Sequence, residues 1–236
     1  MSVYKIDYTI LSSDVDPDRR LRLSRLFTFL QEASIAHTTE LGMGREKTLD
    51  KGLLWIVTLQ QVRVHRLPVY DEPVKLTSWP GDTMHLYFPR YYCMETPSGE
   101  RLLEGSALWA LMEEGSRRIV FPEEHGIRIP AERTGQEPPL PAAPRAAQGE
   151  AAEIFRVPRS YCDINGHMNN TRYFDLAEDR LPESLRHRPL SLVRAEYSGE
   201  AREGDSIRLT GAAAETSFYL SGDGDRKLFR LNLLYE

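Results

Sequence analysis

Residues 161–173 read Tyr-Cys-Asp-Ile-Asn-Gly-His-Met-Asn-Asn-Thr-Arg-Tyr, and they carry the densest chemistry in the chain. Asp163, Asn165 and His167 alternate, so an extended backbone would turn all three side chains the same way. Asn165-Gly166 is also a turn dipeptide, which would break the alternation. Asn169 or Asn170 suits the N-cap of a following helix. A helix start offers backbone N–H groups and a favourable dipole to a developing oxyanion. A carboxylate, an amide, an imidazole and oxyanion donors together would suit base-assisted attack on an acyl carbon. The plainer reading is a polar loop capped by asparagine, with His167 simply exposed.

Other reactive patterns are weaker. Cys162 next to Asp163 and near His167 is a conceivable nucleophile, but a buried structural cysteine is the simpler reading. Asp14-x-Asp16-x-Asp18 imitates a calcium loop, yet Arg19 and Arg25 stand where that loop needs glycine and glutamate. The histidines and cysteines lack ligand spacing, so neither a metal nor an organic cofactor is expected. Gly42-Met43-Gly44 follows a helix pattern and reads as a helix stop, and there is no Gly-x-Ser-x-Gly elbow.

The elements that must position this loop occur twice. The first set begins with a strand at 4–10 and a helix with small and apolar residues at Leu23, Leu26, Phe27, Leu30, Ala33, Ser34, His37 and Leu41. Strands at 53–66, 74–79, 84–95 and 102–112 follow, with Thr96-Pro97-Ser98-Gly99 as a hairpin turn. The second set has a strand at 154–157, a helix over 170–181, and strands at 192–197, 206–214, 216–220 and 227–235. Between the sets, the run from Glu123 to Glu150 holds Pro130, Pro138, Pro139, Pro141 and Pro144 without apolar periodicity. We therefore expect a first unit over 1–130, a Pro-rich linker over 131–150 and a second unit over 151–236. Each unit is one helix and an antiparallel sheet with a face to bury, which a sheet wrapped around its helix achieves. Two such units can pair edge to edge. An ordinary α+β arrangement with coincidental internal likeness is the alternative.

The chain has 236 residues, 30 Lys plus Arg, 35 Asp plus Glu and a net charge of -5. That balance suits a globular protein and argues against a nucleic-acid binder. No apolar run approaches the ~20 residues of a membrane-spanning helix. The first residues lack the pattern of a secretory signal or transit peptide, and two cysteines cannot form a disulfide framework. The expected compartment is the cytoplasm.

Asp-x-Asn-Gly-His-x-Asn-Asn-x-x-Tyr at 163–173 resembles the signature of the acyl-[acyl-carrier-protein] thioesterases of plants and bacteria. Further motifs resemble that family in the same order: Trp79-Pro80-Gly81, Phe88-Pro89-Arg90-Tyr91-Tyr92, Ser106-Ala107-Leu108-Trp109, Arg117-Arg118 and Phe121-Pro122-Glu123-Glu124. The resemblance implies a double hot-dog fold of the α+β class and hydrolysis of the thioester between a fatty acyl chain and the phosphopantetheine of acyl carrier protein. It implies that Asp163, Asn165, His167 and, in a Tyr-x-x-Glu context, Glu200 are catalytic. Some relatives carry cysteine after that glutamate; here Ala201 excludes such a nucleophile. Either Glu200 or Asp163 would take a proton from water, with His167 and Asn165 positioning it.

The loop before the first helix, 16–24, has neither Asn nor His. That half would instead shape the acyl pocket, with Trp55, Met43, Leu26, Phe27 and Leu30 as candidate lining. Asn169 and Asn170 are further substrate-binding candidates. Arg117-Arg118 and Arg186-His187-Arg188 are candidates to dock an acidic carrier protein, with a solvated face as the plain alternative. One site per chain suits a monomer that is an internal pseudo-dimer, or a homodimer. An acyl-CoA thioesterase and a non-catalytic acyl-binding hot-dog module are the competing functions.

Overall fold

A computed structural model describes residues 3–146 and 153–236. The last residues of the expected linker, 147–150, and the first two of the second unit lie outside that description. The first half contains β1 (Tyr4–Thr9), α1 (Leu23–Glu40), β2 (Leu53–Val64), β3 (Pro73–Pro80), β4 (Tyr87–Glu95) and β5 (Arg101–Glu113). The second contains β6 (Glu153–Arg156), α2 (Arg172–Asp179), α3 (Glu183–Arg186), β7 (Leu190–Tyr197), β8 (Ser206–Ala214), β9 (Ser217–Asp223) and β10 (Lys227–Tyr235).

Among the described residues, ten strands form one antiparallel sheet, ordered β1-β3-β4-β5-β2-β7-β10-β9-β8-β6. Read inward from either edge, each half places its first, third, fourth, fifth and second strands in that order. The halves meet where β2 pairs with β7, from Leu59 opposite Glu196 to Arg63 opposite Leu192. Each half supplies an edge that the other covers, so neither leaves that edge unpaired. This is the double hot-dog α+β architecture that the resemblance implies, with the two units paired edge to edge as the repeated elements allow.

The periodic stripe of α1 from Leu23 to His37 is buried against the sheet. Part of its apolar face also meets the other half: the Phe27 and Phe174 rings stack with centroids 3.9 Å apart. Arg22 gives α1 no side-chain cap. Glu178 of α2 does so from a distance, its Oε1 accepting the Leu23 N–H at 3.0 Å. Burial pushes the Glu178 carboxyl up to about 7, partly offset by that N–H.

α2 is shorter than the expected helix over 170–181. Pro182 cannot continue the backbone ladder, and a new short helix, α3, starts after it. The connecting segment is strapped across the sheet. Ser106 of β5 donates to the Pro139 carbonyl at 2.6 Å, the Ala142 N–H reaches Gln61 of β2 at 3.4 Å, and Asn232 of β10 bonds both the N–H and the carbonyl of Arg145.

Candidate active site

The loop that joins β6 to α2 folds as a tight turn. The Gly166 N–H donates to the Asp163 carbonyl at 3.0 Å and the Asp163 N–H to the His167 carbonyl at 2.9 Å. Gly166 sits at φ 74, a left-handed conformation that favours glycine. Asp163 Oδ1 accepts the Asn165 N–H at 2.8 Å, so one carboxylate oxygen holds the turn. The extended alternation of Asp163, Asn165 and His167 is therefore broken. His167 turns inward and is 7% exposed, whereas Asn165 is exposed and Ile164 is 93% exposed.

A second loop, after β7, closes on the first. His167 forms an isolated antiparallel bridge with Arg202, and the Met168 N–H donates to the Ala201 carbonyl at 2.7 Å. That pairing brings Glu200 Oε2 to 3.5 Å from His167 Nε2. Gly199 lets this loop pass close to the sheet, because a Cβ there would lie 2.6 Å from the Lys227 carbonyl oxygen.

The third member comes from the first half. Arg117, in the turn after β5, places Nη2 at 3.0 Å from His167 Nε2 and 3.4 Å from Glu200 Oε2. A guanidinium has only donors, so His167 Nε2 must accept and a neutral ring carries its proton on Nδ1. Burial pulls the His167 pKa below its ordinary value, as do the Arg117 and Arg202 charges, with Glu200 and Asp163 opposing. The imidazole is therefore neutral at pH 7.

A cavity of about 310 Å³ reaches this loop. Ile164 and Asn165 line one part of it, and Trp55, Phe88, Trp109 and the C-terminal half of α1 line the rest. Trp55 meets Phe88 edge-on with centroids 4.9 Å apart. Trp55 and Met43 both line this cavity. Leu26, Phe27 and Leu30 do not line this cavity; they face packed core, including Phe174.

The remaining site candidates fall elsewhere. Asn169 Oδ1 accepts both the Thr171 N–H and the Thr171 hydroxyl, so it builds the start of α2, and neither Asn169 nor Asn170 lines the cavity. Two of the amide groups at the helix start are engaged: Arg172 and Tyr173 N–H donate to the Asn169 and Asn170 carbonyls. Arg118 is exposed, whereas Arg117 points into the acid–imidazole pair. Arg186, His187 and Arg188 line a groove with His65 and Arg66, beyond the opposite end of β2 from Trp55. Among them, Arg186 and His187 contact Glu183. Cys162 is half-buried, its thiol 4.0 Å from the Pro158 carbonyl. Among the described residues no cluster of His, Cys, Asp and Glu could hold a metal ion, and no helix is long and apolar enough to cross a membrane. Sequence reasoning missed Ile164 as cavity lining and Arg117 as a neighbour of His167.

Comparison with known proteins agrees with this architecture. A solved acyl-ACP thioesterase from Bacteroides thetaiotaomicron superposes with a TM-score of 0.86 at 17% identity, covering 100% of this chain and 98% of that one. The 12:0-ACP thioesterase from Umbellularia californica gives 0.81 at 20% identity, covering 100% and 98%. In sequence, an acyl-[acyl-carrier-protein] hydrolase of Cuphea viscosissima is 26% identical over 242 residues, covering 96% of this chain and 58% of its own length. A palmitoyl-acyl carrier protein thioesterase of Arabidopsis thaliana is 25% identical over 214 residues, with 84% and 52% covered. The chain thus spans just over half the length of these curated relatives. Residues 1–125 match the acyl-ACP thioesterase N-terminal domain and residues 145–223 the acyl-ACP thioesterase C-terminal domain. The chain belongs to the acyl-ACP thioesterase family.

Proposed function

We propose that this chain hydrolyses fatty acyl thioesters of acyl carrier protein, releasing free fatty acid and the carrier thiol. One observation carries the reading: a largely apolar cavity ends at Ile164 and Asn165, on the same loop that sets His167 3.5 Å from the Glu200 carboxylate. An acyl chain in that cavity would bring its thioester to the pair. The family membership and the acyl-carrier names of the relatives point the same way.

In this reading Glu200 is the general base. Asp163 is the less suitable carboxylate, since one of its oxygens already holds the Asn165 N–H. Glu200 takes a proton as the water oxygen bonds to the acyl carbon. Neutral His167, and Asn165 at the cavity wall, orient water and thioester. Base catalysis of this kind contributes about 10²–10⁴-fold. The first half supplies the acyl pocket and the second the acid–base pair, so each chain holds one site. Domain limits near 130 and 151 follow from this division.

The test is hydrolysis of a series of acyl-carrier thioesters by the purified protein, with matching coenzyme A thioesters in parallel. Carrier-linked substrates should show the higher kcat/KM, and expression in a bacterium should raise its free fatty acids. Higher kcat/KM on coenzyme A thioesters would move the assignment to that carrier. Acyl binding without turnover would make this a non-catalytic module.

A further inference from the structure

Three observations meet at Arg117. First, most of the amide donors at the loop and helix start are occupied. Asn165, Gly166, Thr171, Arg172, Tyr173 and Phe174 N–H groups all have partners within the segment. Second, Arg117 Nη2 faces His167 and Glu200, while Nη1 of the same guanidinium is buried without a partner. An unmatched buried donor is unfavourable, so a partner that arrives with the substrate would relieve it. Third, Arg117 stands at φ 55 in a turn closed by its own N–H to the Glu113 carbonyl and by the Glu113 N–H to the Arg118 carbonyl, both 2.9 Å. Glycine is the natural occupant of a left-handed turn position, and another residue there is strained. Both costs fall on one arginine, next to the acid–imidazole pair.

We propose that Arg117 is a catalytic residue whose Nη1–H donates to the thioester carbonyl oxygen and takes the charge that develops on it. The inference rests on the hydrolase reading above. As the water oxygen bonds to the acyl carbon and Glu200 receives the proton, the carbonyl π pair moves onto the oxygen facing Nη1. When that pair returns, the C–S bond breaks and the thiolate takes the proton from Glu200. Water and thioester become carboxylic acid and thiol, with nothing oxidised or reduced. Nη2 meanwhile holds His167 and Glu200 in register. A planar, permanently charged fork suits these two tasks together. The role differs from carrier docking, which would act on KM for the carrier-linked substrate alone.

The experiment compares wild type, Arg117→Gly and Arg117→Lys on carrier and coenzyme A thioesters of one acyl chain, with thermal melts alongside. Arg117→Gly should lower kcat by about 10²–10³-fold on both substrates, with KM changed less than about threefold. Its Tm should stay within about 4 °C of wild type, because glycine accepts the turn. Arg117→Lys keeps the charge and should recover part of kcat. Near-wild-type kcat in Arg117→Gly, or a loss confined to KM of the carrier substrate, would overturn the proposal. If wild type cleaves neither thioester, the hydrolase reading fails separately. The donor is then tested by titrating an alkylphosphonate, tetrahedral and anionic, against an alkanol of equal length. Arg117→Gly should weaken phosphonate binding alone, and equal weakening of both ligands contradicts the assignment.

Discussion

The loop before α1 and the loop before α2 occupy equivalent places in the two halves, yet they use their polar groups in opposite ways. In the first, Asp14 Oδ2 accepts the Leu11 N–H at 3.0 Å and Oδ1 the Arg25 side chain at 2.8 Å. Asp16 accepts the Arg20 N–H at 2.8 Å, and Arg22 donates to the Val15 carbonyl at 2.8 Å. That loop spends its charges on its own backbone and launches a helix of 18 residues. In the second, one oxygen of Asp163 and the amide oxygen of Asn169 hold the backbone. His167 and the neighbouring Glu200 are left to each other and to Arg117, ahead of a helix of 8 residues. A duplicated fold can thus keep one copy for support and pocket and release the other for chemistry.

The sharpest way to break this contrast is to exchange the two kinds of loss. Glu200→Gln and His167→Ala should each lower kcat about 10²–10⁴-fold without unfolding the protein. Asp16→Asn should leave kcat at the wild-type value, and steady-state assays of the three decide it. A smaller effect is expected from Gly199→Ala. Its Cβ would meet the Lys227 carbonyl at 2.6 Å, so the backbone must shift and carry Glu200 away from His167. A displacement of about 1 Å costs up to roughly 10²-fold in kcat; an unchanged rate would show that Glu200 placement is not limiting.

Stability offers the reverse test. Asp14→Ala removes an acceptor from Leu11 and Arg25, and should cost about 1–3 kcal/mol in urea unfolding while the folded fraction keeps its kcat. The smallest effect concerns Glu178, which links the halves at the start of α1. Its folded pKa, about 7, lies above the ordinary 4.5. The folded state therefore holds a proton that the unfolded chain has lost, and this group's contribution to stability falls as pH rises from about 4.5 to about 7. Glu178→Gln keeps an oxygen for the Leu23 N–H and should flatten that slope in Tm. A slope equal to wild type would place its origin elsewhere.

Much of the fold is legible in the residues because burial imposes a period. The α1 stripe and the alternation along β1 and β3 follow it directly, and the repeat of elements suggests an edge-to-edge pairing, which the structure makes between β2 and β7. Periodicity shows which face is buried but not what buries it. Leu26, Phe27 and Leu30 therefore look like pocket lining and prove to be core. Asp163, Asn165 and His167 are legible as a group, while their geometry depends on a turn at Gly166 that breaks the alternation. Arg117 is 50 residues from His167 in the chain. Nothing local to Glu-Glu-Gly-Ser-Arg-Arg at 113–118 tells that this turn reaches the other half, because only the joined sheet brings them together.

Thioester hydrolysis is assigned to the Glu200–His167 pair, beside the loop residues Ile164 and Asn165 that line the cavity. Single-turnover cleavage of an acyl-carrier thioester by wild type and Glu200→Gln, with acyl-chain binding measured on both proteins, tests it most directly. Binding should be equal and cleavage at least about 10²-fold slower in Glu200→Gln; equal cleavage rates would contradict the assignment.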